Sequence, residues 1–388
     1  MNPPYKGYTI KAIINAKLIL NDEIIEGKTI LFDKSIVKIA DNVNLDTIEV
    51  IDANGNYVSP GFIDLHIHGS GGADVMDATP EALELISSAL LQTGTTSFLP
   101  TTMTMSKVHI DNALQNIQLH GQNVSGAQIL GVHLEGPFIN VSKHGAQDKA
   151  YIQTPNRTLM DDYMNEVKMI TLAPEVEGAE SFIKYLSEQY PHIILSIGHS
   201  DASYEKSKES FSWGISHATH LFNAMNPYHH RKPGIVGAVF DSEVTCDIIA
   251  DLVHTHPSVL RLVHQIKKDK LILITDAMRA GCMKCGTYDL GGRKVMVEGS
   301  QAVLEDGTLA GSVLKLNVAL KNMTTLTSMT VVEAVNAVTK IPAHKLGLKK
   351  GKFKVGYDAD IVIFDENFSI ISTIVAGEVK YQKQGNKG

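Results

Sequence analysis

Two histidines one residue apart, His66 and His68, close the segment Pro60-Gly-Phe-Ile-Asp-Leu-His-Ile-His-Gly69. Phe62 to Ile67 is a short apolar run that reads as a buried strand. Alternate residues of a strand share a face, so both imidazoles point the same way. At a strand end, just before Gly69-Ser70-Gly71-Gly72, they form a donor pair for a divalent metal. Taken alone, such a pair is as readily two hydrogen-bonded histidines. Other residues of matching chemistry sit where other apolar runs stop: Glu135 before Gly136-Pro137, His199 after Ile193–Gly198, His220 beside His217, and Asp276 after Leu271–Thr275. Imidazole and carboxylate donors suit Zn, Fe(II), Mn or Co. A metal so held makes hydroxide from water near neutral pH, and a neighbouring carboxylate can take a proton and return it to a leaving group. That combination hydrolyses amides. His66, His68, Glu135, His199 and His220 suffice for two ions bridged by a carboxylate, a single ion being also feasible, with Asp276 as a further carboxylate.

Such residues need a scaffold that brings distant segments to one place. Eight apolar segments read as strands: 62–67, 97–100, 129–134, 169–173, 193–198, 216–220, 246–252 and 271–275. Helical stretches alternate with them. In Pro80–Gly94, Leu83, Ile86 and Leu90 share one helical face, Pro80 fits an early position and Gly94 a C-cap. This alternation predicts an α/β fold, a (β/α)8 TIM-type barrel. Barrel enzymes carry their chemistry at the C-terminal strand ends, where all these residues fall. The two ends of the chain differ from the middle. Tyr8–Leu20, Lys28–Ile39 and Glu49–Val58, then Ala359–Phe364, Ile370–Val375 and Glu378–Tyr381, are short β-like runs broken by turn residues. The expected organisation is a small β domain in two pieces, residues 1–57 and 346–388, around a barrel over 58–345.

Bulk properties narrow the partners. The 388 residues can bury a large core, and 44% hydrophobic with 20% charged residues is ordinary for a globular protein. A formal charge of −7 argues against nucleic acid or an acidic membrane as partner. No run is long enough to span a bilayer, Met1–Asn15 lacks a secretory leader's features, and Cys246, Cys282 and Cys285 are too few for a disulfide framework. A cytoplasmic location is expected. Cys282-Met-Lys-Cys285 has no second cysteine pair to complete a zinc site. His133, two residues before Glu135, is read as a hydrogen-bonding histidine. His217, on the opposite strand face from His220, is read as core or outer support. His109, His120, His192, His264 and His344 are read as surface residues. The basic loop His229-His-Arg-Lys-Pro-Gly234 follows the sixth strand and reads as an anion site. His254, past the seventh, is placed to touch substrate.

Several longer stretches match a known family. Pro60–Gly69 resembles the opening motif of the amidohydrolase superfamily. His133-Leu-Glu-Gly-Pro-Phe138, Gly198-His199-Ser200, His217-Ala-Thr-His-Leu-Phe-Asn-Ala-Met225 and Thr275-Asp-Ala277 resemble signatures of its N-acetylglucosamine-6-phosphate deacetylase branch. Thr308-Leu-Ala-Gly-Ser312 and Gly356-Tyr-Asp-Ala-Asp360 fit later segments of that branch. The resemblance implies a barrel with a composite β-sandwich, and deacetylation of N-acetylglucosamine 6-phosphate in amino-sugar catabolism and cell-wall recycling. It implies that Glu135, His199 and His220 hold the principal divalent metal, and that Asp276 is general base and acid. Retention of His66 and His68, which some members replace by amides, leaves room for a second ion. Ala146, Gln147, Asn223, Ala224, Arg231, His254, Leu309, Ala310 and Gly311 would contact the sugar phosphate, with Gln147 standing where some relatives have histidine. A homodimer is implied, in which the Arg231 loop could serve a neighbouring subunit. Two alternatives stand beside this reading. One is another amidohydrolase acting on a cyclic amide, hydantoinase- or dihydroorotase-like, for which Ile170–Pro174 lacks the usual bridging lysine. The other is a non-catalytic barrel scaffold.

Overall fold

The computed structural model describes residues 10–384, so the N-terminal reading of Met1–Asn15 and the start of the Tyr8–Leu20 run fall partly outside them. Eight parallel strand positions follow one another in chain order around a barrel. They are Phe62–Ile67, Thr95–Thr102, the split pair Gln128–Ile129 and Val132–Glu135, Val167–Leu172, Ile194–Ile197, Ile215–Ala218, Thr245–Ile249 and Leu271–Ile274. We number these strands one to eight. The ring closes where strand eight returns to strand one: Asp276 N donates to His66 O at 2.9 Å and His68 N to Ala277 O at 2.8 Å. Helices cover the outside and side chains fill the inside, so nearly every strand residue is buried.

Local chemistry explains the elements. Helix Pro80–Leu90 starts on Thr79, whose hydroxyl accepts from Ala82 N, carries proline in its first turn, and buries Leu83, Ile86 and Leu90. Gly94, at φ 81°, ends the tight turn Leu91–Thr93 that follows. Strand three, expected as one run over 129–134, breaks at Gly131 (φ 139°) because the chain changes partner there. Leu130 N bonds Phe98 O on strand two, whereas Val132 N bonds Glu166 O just before strand four. A Cβ at Gly131 would lie 2.5 Å from that Glu166 oxygen. His264, expected on the surface, is buried on helix Pro257–Lys267, on the apolar face with Leu260 and Val263. Position on a helix does not by itself decide which face a residue takes.

The chain ends form two more sheets. One orders Ile36–Ala40, Thr29–Phe32, Lys11–Ile14 and Glu49–Asp52; the other orders Glu378–Gln382, Ile370–Val375, Ile361–Phe364, Tyr57–Pro60, Lys17–Ile19 and Ile24–Ile25. Together they enclose a separate core that includes Ile13, Leu18, Phe32, Val58, Ile361 and Ile374. Tyr57–Pro60 pairs with Ile361–Phe364, so it straddles the expected boundary at 57/58. Buried Lys350 ties this part to the barrel, donating to Asp360 at 2.5 Å and to Gln128 of strand three at 2.6 Å. A three-stranded sheet, Gly286–Leu290, Arg293–Glu298 and Gln301–Leu304, follows strand eight and was not anticipated. It packs Leu290, Val295 and Leu304 against Met103 and Met278 beside the barrel mouth. Its alternation, buried at Val295 and Val297 and exposed between, is the strand signal the sequence carried. Cys282 and Cys285, in the link before it, are free thiols. Among the described residues no helix is long and apolar enough to cross a membrane.

Candidate metal centre

The chain delivers its ligand-type residues in two ways. His66 and His68 lie at the end of strand one, and Glu135 ends strand three. His199, His220 and Asp276 lie just past strands five, six and eight, in the left-handed region at φ 47°, 32° and 49°. Such conformations cost about 1–3 kcal/mol each and persist only where neighbours impose them. Here backbone bonds impose them: Asn140 N to His199 O at 2.9 Å, Leu221 N to Asp247 O at 2.9 Å, and Ser312 N to Asp276 O at 2.7 Å. Gly311 must be glycine for the same turn, since its φ is 62° and a Cβ would press on Asp276 O at 3.1 Å.

The six side chains converge as two buried groups, His66–His68–Asp276 and Glu135–His199–His220. Glu135 stands between them. Its Oε1 lies 3.0 Å from both His199 Nε2 and His220 Nε2 and 3.5 Å from His66 Nε2, and its Oε2 lies 3.2 Å from His68 Nε2. Asp276 Oδ1 sits 3.4 Å from His66 Nε2 and 3.3 Å from His68 Nε2. The tautomers follow from the surroundings. His68 Nδ1 donates to Thr101 O at 3.1 Å and His199 Nδ1 to Lys143 O at 2.9 Å. A carbonyl only accepts, so Nδ1 of each ring carries a proton and Nε2 of each faces inward. His66 and His68 Nε2 are 3.2 Å apart, as are His199 and His220 Nε2. Four imidazole nitrogens and two carboxylates thus crowd one buried space, a compact set of N and O donors. The donor set therefore fits a divalent metal in each group, with Glu135 able to bridge.

The electrostatics agree. Burial alone would neutralise every member. Against burial, the Asp276 and Glu135 carboxylates hold the His68 imidazole well above its ordinary pKa. Burial pushes Glu135 and Asp276 upward, but the imidazoles win: Glu135 is held well below the usual carboxylate range and Asp276 falls to about 2. This is a field that retains positive charge.

Neighbouring residues take supporting places. His133 donates from Nδ1 to Leu65 O at 3.1 Å and accepts from Thr171 Oγ1 at 2.7 Å. Burial first, then His66, keeps it well below its ordinary pKa, so it is a neutral hydrogen-bonding residue. His217 is buried and likewise lowered by burial, against the pull of Asp247; it bonds Asp247 Oδ2 at 2.8 Å and Thr245 Oγ1 at 2.7 Å. His220 lies beyond strand six, so the strand-parity argument that separated it from His217 does not apply.

The residues expected to touch substrate are less uniformly placed. Gln147 is buried; its amide donates to Glu135 Oε2 at 2.7 Å and its oxygen accepts from Thr104 N at 2.7 Å. Ala146 O accepts from Arg293 of the unanticipated sheet at 3.3 Å. Asn223 follows the His220 turn, with its N on His220 O, and Ala224 O accepts from Ser200 N. Asn223 Nδ2 is buried with no partner among the described residues. Leu309 bridges to Val303 and Ala310 N bonds Ala302 O, which places Leu309, Ala310 and Gly311 between that sheet and Asp276. His254 donates from Nδ1 to Asp251 Oδ2 at 2.7 Å. Arg231 stands apart: it is exposed, donates to His230 Nε2, and lines a cavity of about 880 Å³ with Asp201, Tyr204, Asn226, His229 and Lys232. Sequence reasoning missed Asp64 and Asp247. Asp64 accepts from His66 N at 3.3 Å and Thr275 Oγ1 at 2.6 Å, and burial, partly offset by these bonds, lifts its carboxyl to about 7. A buried aspartate inside an apolar strand was the available signal.

Known proteins share this chain's sequence and fold. Residues 57–380 match the model of the amidohydrolase family. An N-acetylglucosamine-6-phosphate deacetylase of Lysinibacillus sphaericus is 40% identical over 361 residues, covering 90% of this chain and 92% of that protein. One from Bacillus subtilis (strain 168) is 42% identical over 335 residues, covering 83% and 84%. The crystal structure of N-acetylglucosamine-6-phosphate deacetylase from Pasteurella multocida superposes with a TM-score of 0.92 at 31% identity, over 96% of this chain and all of that one.

Proposed function

The chain belongs to the amidohydrolase family, and on that premise we propose that its barrel mouth hydrolyses the acetamide of N-acetyl-D-glucosamine 6-phosphate to D-glucosamine 6-phosphate and acetate. The carrying observation is the pair of buried ligand groups with Glu135 of one group 3.2–3.5 Å from the histidines of the other, on a chain similar to proteins named for that activity. The enzyme is a divalent-metal-dependent C–N hydrolase. Glu135, His199 and His220 would hold the principal ion, drawn from Zn, Fe(II), Mn or Co, and His66 and His68 would take part in holding a second. When bound, the metal supplies an acidified water and polarises the acetamide carbonyl.

The chain's own groups do the rest. Asp276, beside the inward faces of His66 and His68, accepts a proton from water and delivers it to the departing nitrogen. Gln147 ties Glu135 to the Thr104 backbone and keeps the bridge in place. His254 Nε2, Asn223 Nδ2 and the Leu309–Gly311 segment face the sugar, and Arg231 receives the phosphate with its planar fork. The two sheets of the chain ends form one β-sandwich domain on the barrel, and the protein works as a cytoplasmic homodimer. The test is acetate release from the sugar phosphate by chelator-treated protein resupplied with each metal in turn. Activity that needs metal is expected. Full activity without metal, or none with any of the four, overturns the reading.

A further inference from the structure

In each ligand group one histidine is held by its ring and the other is not. His68 and His199 donate from Nδ1 to backbone carbonyls. His66 Nδ1 and His220 Nδ1 are buried without a hydrogen-bond partner among the described residues. Outer bonds to a ligating imidazole normally orient it, so His220 needs another support, the more so in a left-handed conformation. Asp247, on strand seven, provides one. Its Oδ1 accepts the His220 backbone N–H, its own backbone oxygen accepts Leu221 N at 2.9 Å, and its Oδ2 accepts from His217 Nε2 at 2.8 Å. Thr245 Oγ1 in turn bonds His217 Nδ1 at 2.7 Å. All of these side chains except Thr245 are fully buried.

We propose that Asp247, itself fixed by His217 and Thr245, is a positioning residue that aims the His220 imidazole through its backbone. Two successive amides of the ligand turn, His220 and Leu221, are gripped by one residue. Their carbonyls cannot rotate without breaking a buried bond, and an unmet buried donor is costly. The aim of the ring is thereby set at Cα rather than at Nδ1.

This rests on Glu135, His199 and His220 holding a metal, and the experiment separates the two claims. Chelator-stripped full-length protein is titrated with Co(II) against a competing chelator, reading affinity and visible absorption for each ion bound. Asp247→Ala should weaken one ion by about 10- to 100-fold, the usual effect of losing an outer partner, and change its absorption. Asp247→Asn keeps an oxygen for the His220 amide and should recover part of the loss. Should Asp247→Ala not fold, Asp247→Ser takes its place, its hydroxyl being too short to reach that amide. Unchanged affinities and spectra, or equal losses in the truncated and amide variants, overturn the role of Asp247. A parent protein that binds no Co(II) overturns the metal reading itself.

Discussion

The two ligand groups face each other across Glu135 but are built differently. His66 lies within strand one and His68 directly after its last residue, so one short segment delivers both. His199 and His220 come from separate turns with positive φ, and Glu135 from a third segment. In the first group one segment thus supplies both histidines, and only Asp276 comes from a distant turn with positive φ. The second has its geometry only because the barrel assembles and aspartates and carbonyls hold the turns. A strand-borne pair is robust to local change, whereas a turn-borne pair depends on every buried bond that holds it.

The bridge gives the sharpest test of this contrast. Glu135→Gln removes the carboxylate common to both groups; breaking a buried charge pair costs about 3–5 kcal/mol, or roughly 10²–10⁴-fold. Both ions should weaken together, measured by metal content after dialysis. His66→Ala should cost only its own ion, and His199→Ala the ion that activity needs; equal loss from both would merge the two groups into one site. Next in size is Asp276→Asn. General acid–base help is worth about 10²–10⁴-fold, so kcat should drop by that much with the Glu135–His199–His220 ion retained. Because Asp276 also lies 3.3–3.4 Å from His66 and His68, loss of exactly one ion alongside would make it a ligand of the strand-borne group as well.

Arg231→Ala is smaller and lies outside both groups. One charged hydrogen bond is worth about 1.5–3 kcal/mol, so kcat/KM should fall about 10- to 150-fold with the phosphorylated sugar and far less with N-acetylglucosamine. Equal losses would place the phosphate elsewhere. Mixing Arg231→Ala with Asp276→Asn chains asks whether the loop serves a neighbour: recovered activity would show a shared site.

The smallest effect is at the far end of strand six. There Lys345 Nζ donates to Ser216 O at 2.7 Å, and burial lowers its pKa to about 8. The unfolded chain holds that proton up to about pH 10.5, so between pH 8 and 10.5 the unfolded state binds more protons and folding stability should rise with pH. Denaturant midpoints should show a gain of roughly 1–2 kcal/mol, absent in Lys345→Met. Activity per bound metal should not follow it, because this base is remote from the ligand groups.

Much of this was legible in the residues. Apolar runs ending in His66, Glu135, His199, His220 and Asp276 located the strands within a few positions, because buried parallel strands are rich in apolar residues and barrel functional groups gather at or just past their C-terminal ends. The three-stranded sheet after strand eight was not legible. Its half-exposed alternation is weak beside the barrel's continuous runs, and its core forms only against Met103 and Met278. The buried side of His264 was hidden for a similar reason: a helix face is chosen by what packs on it.

The sequence by itself determined the donor chemistry and the number of strands, since residue type dictates what can bind a metal and apolar pattern dictates what must be buried. Only the tertiary structure decided that Glu135 stands between two groups, that Gln147 pins it, and that Asp64 and Asp247 hold the backbones of His66 and His220. The ligands of the Glu135 group lie 64 and 85 residues from it along the chain. No local rule relates residues so far apart; closure of the barrel does, by bringing the ends of all eight strands to one mouth.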